Sequence, residues 1–155
     1  MNNQFLTTVL LGIIGPQEII VILTIVAIVF VASLIPLIFF LLTLQNTLNA
    51  VSFENRKMQP GEVWLTLIPL FGMIWQFFIV NRIAESLKLE FEKRGIRTEE
   101  EFPGKSIGIA YAVLYCCSIV PFLGYLTAVG GLICWIMYWV KINEYKNRLL
   151  ATAGN

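Results

Sequence analysis

The chain contains no histidine, and only eleven basic and ten acidic side chains are spread over its 155 residues. Without histidine a Ser–His or Cys–His nucleophile cannot be built, and the usual zinc and haem ligand sets are out of reach. No glycine-rich phosphate loop occurs, because the glycines fall in apolar segments or turns. A net charge of +1 removes any general electrostatic case for nucleic acid binding. Residues 1–15 carry no Lys or Arg, and no small-residue cleavage signature precedes the long apolar run, so a cleaved signal peptide is not expected. Ionisable groups are missing from residues 19–44, 63–80 and 107–140, which argues against a proton- or sodium-coupled pump.

What is abundant is apolar surface. Hydrophobic residues make up 57% of the chain and the mean hydropathy is +0.76, far above an ordinary soluble domain. The composition predicts an all-α integral membrane protein with three or four transmembrane helices, forming a single polytopic membrane domain over 1–155. Residues 19–44 supply a 26-residue span, where about 20 suffice. Residues 4–14 are too short to cross and read as an interfacial segment.

A polar connection, 45–62, ends in Gln59-Pro60-Gly61, and Pro60 suits the first turn of the next helix. The apolar segment 63–80 contains Ile68-Pro69-Leu70-Phe71-Gly72, whose form returns as Val120-Pro121-Phe122-Leu123-Gly124. The second element reads as the turn of a helical hairpin over 107–142. The first leaves two alternatives, a kinked full span or a re-entrant hairpin.

Beyond it, Val80, Ile83, Ala84, Leu87 and Phe91 draw one apolar stripe along an amphipathic cytoplasmic extension helix, 81–94. Lys88 with Glu92 and Glu90 with Arg94 read as solvated i,i+4 pairs, Gly95 as a C-terminal cap and Ser106 as an N-cap. Trp135, Tyr138, Trp139 and Lys141 resemble an interfacial belt before a tail, 143–155.

Positive charge tends to gather on the cytoplasmic side. Four full spans would put nine Lys and Arg inside and two outside; a re-entrant 63–80 would put all eleven, from 45–62, 81–106 and 141–155, inside.

Pro60-Gly61-Glu62-Val63-Trp64, Ile68-Pro69, Glu85-Ser86-Leu87 and Tyr138-Trp139-Val140-Lys141-Ile142 together resemble an uncharacterised family, a domain of unknown function, of small bacterial polytopic membrane proteins. The resemblance covers most of the chain after Gln45. It implies a bacterial plasma (inner) membrane, multi-pass setting and a four-segment helical fold, and it transfers no catalytic residue.

No catalytic, cofactor-binding or metal-ligating residue is therefore assigned, and no enzymatic activity or cofactor is expected. Cys116, Cys117 and Cys134 read as small hydrophobes. The function expected is that of a non-catalytic structural or assembly subunit that packs against other membrane helices. Its partners are the bilayer and either a protein partner or a second copy, reached through Gly108, Ala112, Gly130 and Gly131, small residues that let backbones approach. The alternative is an oligomeric channel or passive transporter with 63–80 lining the path, a reading that needs Thr66 and Gln76 to face a common axis.

Overall fold

The computed structural model describes residues 15–118 and 124–153, and these are helical, with no strand among them. Helix α1 runs Pro16–Ala50, followed by short 3-10 segments at Phe53–Asn55 and Pro60–Leu67, then α2 at Phe71–Arg94, α3 at Lys105–Cys117 and α4 at Gly124–Ala153. The expected interfacial segment 4–14 and the turn residues Val120 to Leu123 lie outside the described residues.

Two packing units divide the chain, one up to Phe39 and one from Phe40. The first is a stretch of α1 with its side chains on view: Ile20, Leu23, Ile28, Val29 and Phe30 are each more than half exposed. Its hydroxyls do not seek water, since Thr24 donates to the Ile20 carbonyl and Ser33 to that of Phe30, which satisfies them along the helix itself. Pro36 sits inside the helix without ending it. By length and composition, α1 and residues Leu126–Thr152 of α4 can each cross a membrane. Helix α3, at 13 residues, measures only about 20 Å at 1.5 Å per residue.

The second unit holds the core. Phe40, Leu41, Leu44 and Leu48 from the end of α1 are fully buried, together with Ile79, Ile83 and Leu87 of α2 and Tyr138, Ile142 and Leu149 of α4. The stripe Val80, Ile83, Ala84, Leu87, Phe91 is buried throughout, as its period requires. Phe40 is the hub of an aromatic cluster, meeting Tyr111, Trp135, Tyr138 and Trp139 edge-on at 5.4–6.3 Å. Tyr138 is therefore a core residue and not part of an interfacial belt. Trp139 likewise turns inward, its indole N–H donating to Thr43 Oγ1 at 2.9 Å.

Helices α3 and α4 pack antiparallel. Gly104 faces Ile142, Gly108 faces Tyr138, and Gly130 and Gly131 face Leu114. A Cβ on Gly108 would stand 2.6 Å from Val80 Cγ1 and 2.8 Å from Tyr138 Cε2, so three helices converge there on a residue without a side chain.

Segment 63–80 is not one helix. Pro60 opens a 3-10 segment that ends at Leu67, and the chain then reverses over 68–72. The Phe71 N–H donates to the Pro69 carbonyl at 2.7 Å across Leu70, whose φ of 63° and ψ of −50° make a γ-turn. The Gly72 N–H donates to the Ile68 carbonyl at 2.7 Å. A Cβ on Gly72 would collide with the Thr66 carbonyl oxygen. The arms then run side by side, with the Trp75 indole donating to the Glu62 carbonyl at 2.9 Å. Helix α2 continues unbroken from the turn through Arg94, so no boundary separates an apolar segment from the amphipathic one. It ends at Gly95, in the left-handed conformation with φ 67°. Ser106 is not an N-cap: α3 begins one residue earlier, after Gly104 with φ 76°.

Candidate functional site

The most organised polar site lies where α1 ends. An α-helix leaves its last four carbonyls without intrahelical partners, and α1 has no basic residue in its last turn to meet them. Arginines from elsewhere do so: Arg94 Nη2 donates to the Ala50 carbonyl at 3.1 Å, and Arg56 Nη2 to that of Asn49 at 3.5 Å and to that of Val51, just past the helix, at 3.1 Å. Cations here also oppose the negative end of the helix dipole.

Arg94 is held in place by Glu90, one turn earlier on α2, through Nε to Oε1 at 2.6 Å. Glu90 is fully buried. Its Oε1 also accepts from Ser52 Oγ at 2.8 Å, while Oε2 accepts from the Ser52 backbone N–H at 3.1 Å and Asn55 Nδ2 at 2.8 Å. Arg94 then reaches α4, donating from Nη1 to the Leu149 carbonyl at 2.7 Å and to Thr152 Oγ1 at 3.3 Å. Nearby, the Lys57 N–H donates to buried Ser86 Oγ at 2.9 Å, and that hydroxyl donates on to the Arg82 carbonyl.

Burial pushes the Glu90 carboxyl up, but the hydrogen bonds from Asn55, Ser52 and Arg94 outweigh it and hold it down at about 2. With four donor groups on its two oxygens, the carboxylate has its lone pairs filled. It has none left for a metal ion or for proton exchange with a substrate. Its chemistry is that of a clamp: it fixes an arginine that closes the ends of α1 and α4.

The expected solvated face of α2 is thus corrected at Glu90. The Glu90–Arg94 pair forms, but inside the protein. Lys88 pairs with Glu101 at 2.8 Å and not with Glu92, and Lys93 pairs with Glu54 at 3.1 Å. A signal was present in the sequence, since Glu90 follows Ile83 by seven residues and Leu87 by three and so belongs beside the buried stripe by helical spacing.

The linker after α2 is tied down separately. Glu100 accepts from the Gly104 N–H at 2.7 Å and pairs with Lys141 on α4. Burial raises the Glu100 carboxyl, but Lys141 and the Gly104 N–H more than offset this, leaving it below its ordinary value. An open cleft of about 500 Å³ lies beside this pair, lined by Arg97, Glu99, Glu144, Tyr145 and Arg148 among others. Its charges are balanced, and Glu144 already holds Arg148 at 2.5 Å.

The two polar residues that a channel would need are turned into the fold. Gln76 is 3% exposed and Thr66 Oγ1 is buried. Gly108, Ala112 and Gly131 are buried against this chain's own side chains, and Gly130 is half-buried. Cys116, Cys117 and Cys134 are free thiols, each half-buried. Among the described residues no group of three or more His, Cys, Asp or Glu is placed to hold a metal ion.

Comparison with known proteins found no matching family model, no matching curated protein and no matching solved structure.

Proposed function

We propose that this chain is a non-catalytic integral membrane protein, a structural or assembly subunit that packs against other membrane helices in a bacterial plasma membrane. The observation that carries the reading is the Glu90–Arg94 clamp. It bonds Ser52 and Asn55 of the first connection to α2 and, through Arg94, to Leu149 and Thr152 of the last helix. Groups within hydrogen-bond distance share one side of a bilayer, so the basic segments 45–62, 81–106 and 141–155 belong together. All eleven Lys and Arg then lie on the cytoplasmic side, as the charge rule prefers.

A segment that leaves and returns on one side is a re-entrant hairpin, and the reversal at 68–72 supports that reading of 63–80. Its 3-10 arm of eight residues reaches only about 16 Å at 2.0 Å per residue, half of a hydrocarbon core. Along one side of α4 the apolar side chains face outward. Leu126, Val129, Leu132, Ile133, Met137 and Val140 of α4 are each more than half exposed, a ridge suited to lipid or to a neighbouring helix. The channel reading gains nothing from Gln76, whose side chain is covered within one chain.

Two measurements test the reading. In a variant whose three native cysteines are replaced by alanine, Lys57→Cys and Lys93→Cys should react with an impermeant thiol reagent from the same side of the membrane. Reaction from opposite sides removes the re-entrant arrangement. A photocrosslinking amino acid at Ile133, in native membranes, should join the chain to another membrane helix; adducts with lipid alone would overturn the assembly role.

A further inference from the structure

We propose that the apex of the 60–80 hairpin, centred on Leu70, is a lipid anchor that inserts among the acyl chains of the leaflet beside the basic segments. This rests on the re-entrant reading above and goes beyond it by naming what the apex touches. Leu70 has the left-handed φ of 63°, a conformation that L side chains other than Asn and Asp rarely adopt. The γ-turn it forms is the strained kind. In water, glycine would serve this position better. Two residues on, the chain does use glycine, where a Cβ would strike Thr66. The side chain of Leu70 is therefore present despite its backbone.

Within the chain that side chain has almost nothing to pack on, being 79% exposed. Leu67, Ile68, Phe71 and Ile74 surround it, each more than 40% exposed. The segment 63–80 carries no charge at all. A lone exposed leucine is ordinary, but five exposed apolar residues within the eight positions 67–74, at the apex of a reversal, mark an interaction surface. Its occupant follows from the two ends of the hairpin. Both lie beside basic residues, Lys57 three positions before Pro60 and Arg82 two after Val80, and the Lys57 N–H bonds Ser86 on α2, so the apex points away from that side by the reach of one arm. That distance from a basic, headgroup-side surface is occupied by acyl chains.

The backbone at the apex is also fit for lipid. Much of the turn's backbone is satisfied within it, with the Pro69 and Ile68 carbonyls accepting from Phe71 and Gly72, and a proline removes one further donor. Non-helical backbone at membrane depth requires such self-satisfaction.

The test uses the full chain with Cys116, Cys117 and Cys134 replaced by alanine, reconstituted in phosphatidylcholine–phosphatidylglycerol vesicles. An environment-sensitive fluorophore is attached at Leu70→Cys or, to leave the turn intact, at Ile74→Cys, with Lys57→Cys as the aqueous reference. Lipids brominated on the acyl chains should quench the first two reporters severalfold more than the third, and iodide on either side should quench only the third. Leu70→Asn, of similar size but polar, should reduce acyl-chain quenching at position 74. The anchor is overturned if iodide reaches positions 70 and 74, or if neither quencher does, which would mean a protein cover. Lipid quenching at 70 combined with opposite-side labelling at 57 and 93 would instead overturn the re-entrant reading, and the one-leaflet anchor with it.

Discussion

Removing the Glu90 carboxylate should unlock the second packing unit, and the size of the effect follows from its contacts. Glu90→Ala leaves Ser52 and Asn55 without their acceptor and Arg94, only 21% exposed along its side chain, without its counter-ion. Breaking a buried pair by deleting one partner costs about 3–5 kcal/mol. The lowered pKa of the carboxyl, set by the same contacts, gives a comparable figure. A fall from the ordinary 4.5 to about 2 corresponds to about 3 kcal/mol of stability, at roughly 1.4 kcal/mol for each pH unit between the two values. Because the folded value lies below the unfolded one, this contribution is complete above about pH 4.5 and is lost as pH falls towards 2.

Glu90→Gln keeps the volume but sets an amide N–H₂ against donors, so it should lose a similar amount and no longer titrate. The assay is equilibrium unfolding in mild detergent by added dodecyl sulfate, at several pH values from 7 to 3. The wild type should weaken below pH 4.5 more steeply than Glu90→Gln, whose remaining slope reports other carboxylates such as Glu100. A loss under 1 kcal/mol in Glu90→Ala, or identical pH slopes in the two proteins, would refute the clamp.

Other consequences can be measured in the same way. Gly72→Ala, whose Cβ would strike the Thr66 carbonyl oxygen, should destabilise by about 2 kcal/mol or more as an overpacking change, while Gly61→Ala, with open space around it, should be near neutral. Gly108→Leu should separate α2, α3 and α4 and remove cooperative unfolding altogether, because its Cβ already lacks room beside Val80 and Tyr138. Ile83→Ala, in the middle of the buried stripe, should cost about 2–5 kcal/mol; a value near zero would mean that the stripe is not core. Purified protein in planar bilayers should show negligible conductance, given the covered Gln76, and a reproducible current altered by Gln76→Leu would restore the channel reading.

The long apolar run of α1, the stripe of α2 and the cap at Gly95 were legible in the residues alone. Each depends on neighbours within a turn or two: hydropathy is a sum over adjacent side chains, a stripe needs only the 3.6 period, and a left-handed cap needs only a residue without Cβ. The pairings that define the site were not legible. A Glu and an Arg four apart look the same on a wet face and in a core, and only Ser52 and Asn55, 38 and 35 positions away in sequence, distinguish the two. Lys88 illustrates the same limit, since its partner Glu101 arrives by way of the linker after α2.

Tyr138 shows the limit from the other direction. Its place near Lys141 suggested an interface, yet Phe40, almost a hundred residues earlier, draws it inside. The sequence by itself determined where the long apolar run and the apolar stripe lie and where a chain so poor in charge has its polar segments. Tertiary structure alone decided that the chain reverses over 68–72 and that the first connection and the last helix meet at the buried Glu90–Arg94 pair. Both depend on contacts between segments far apart in the chain, whose energies no local window contains.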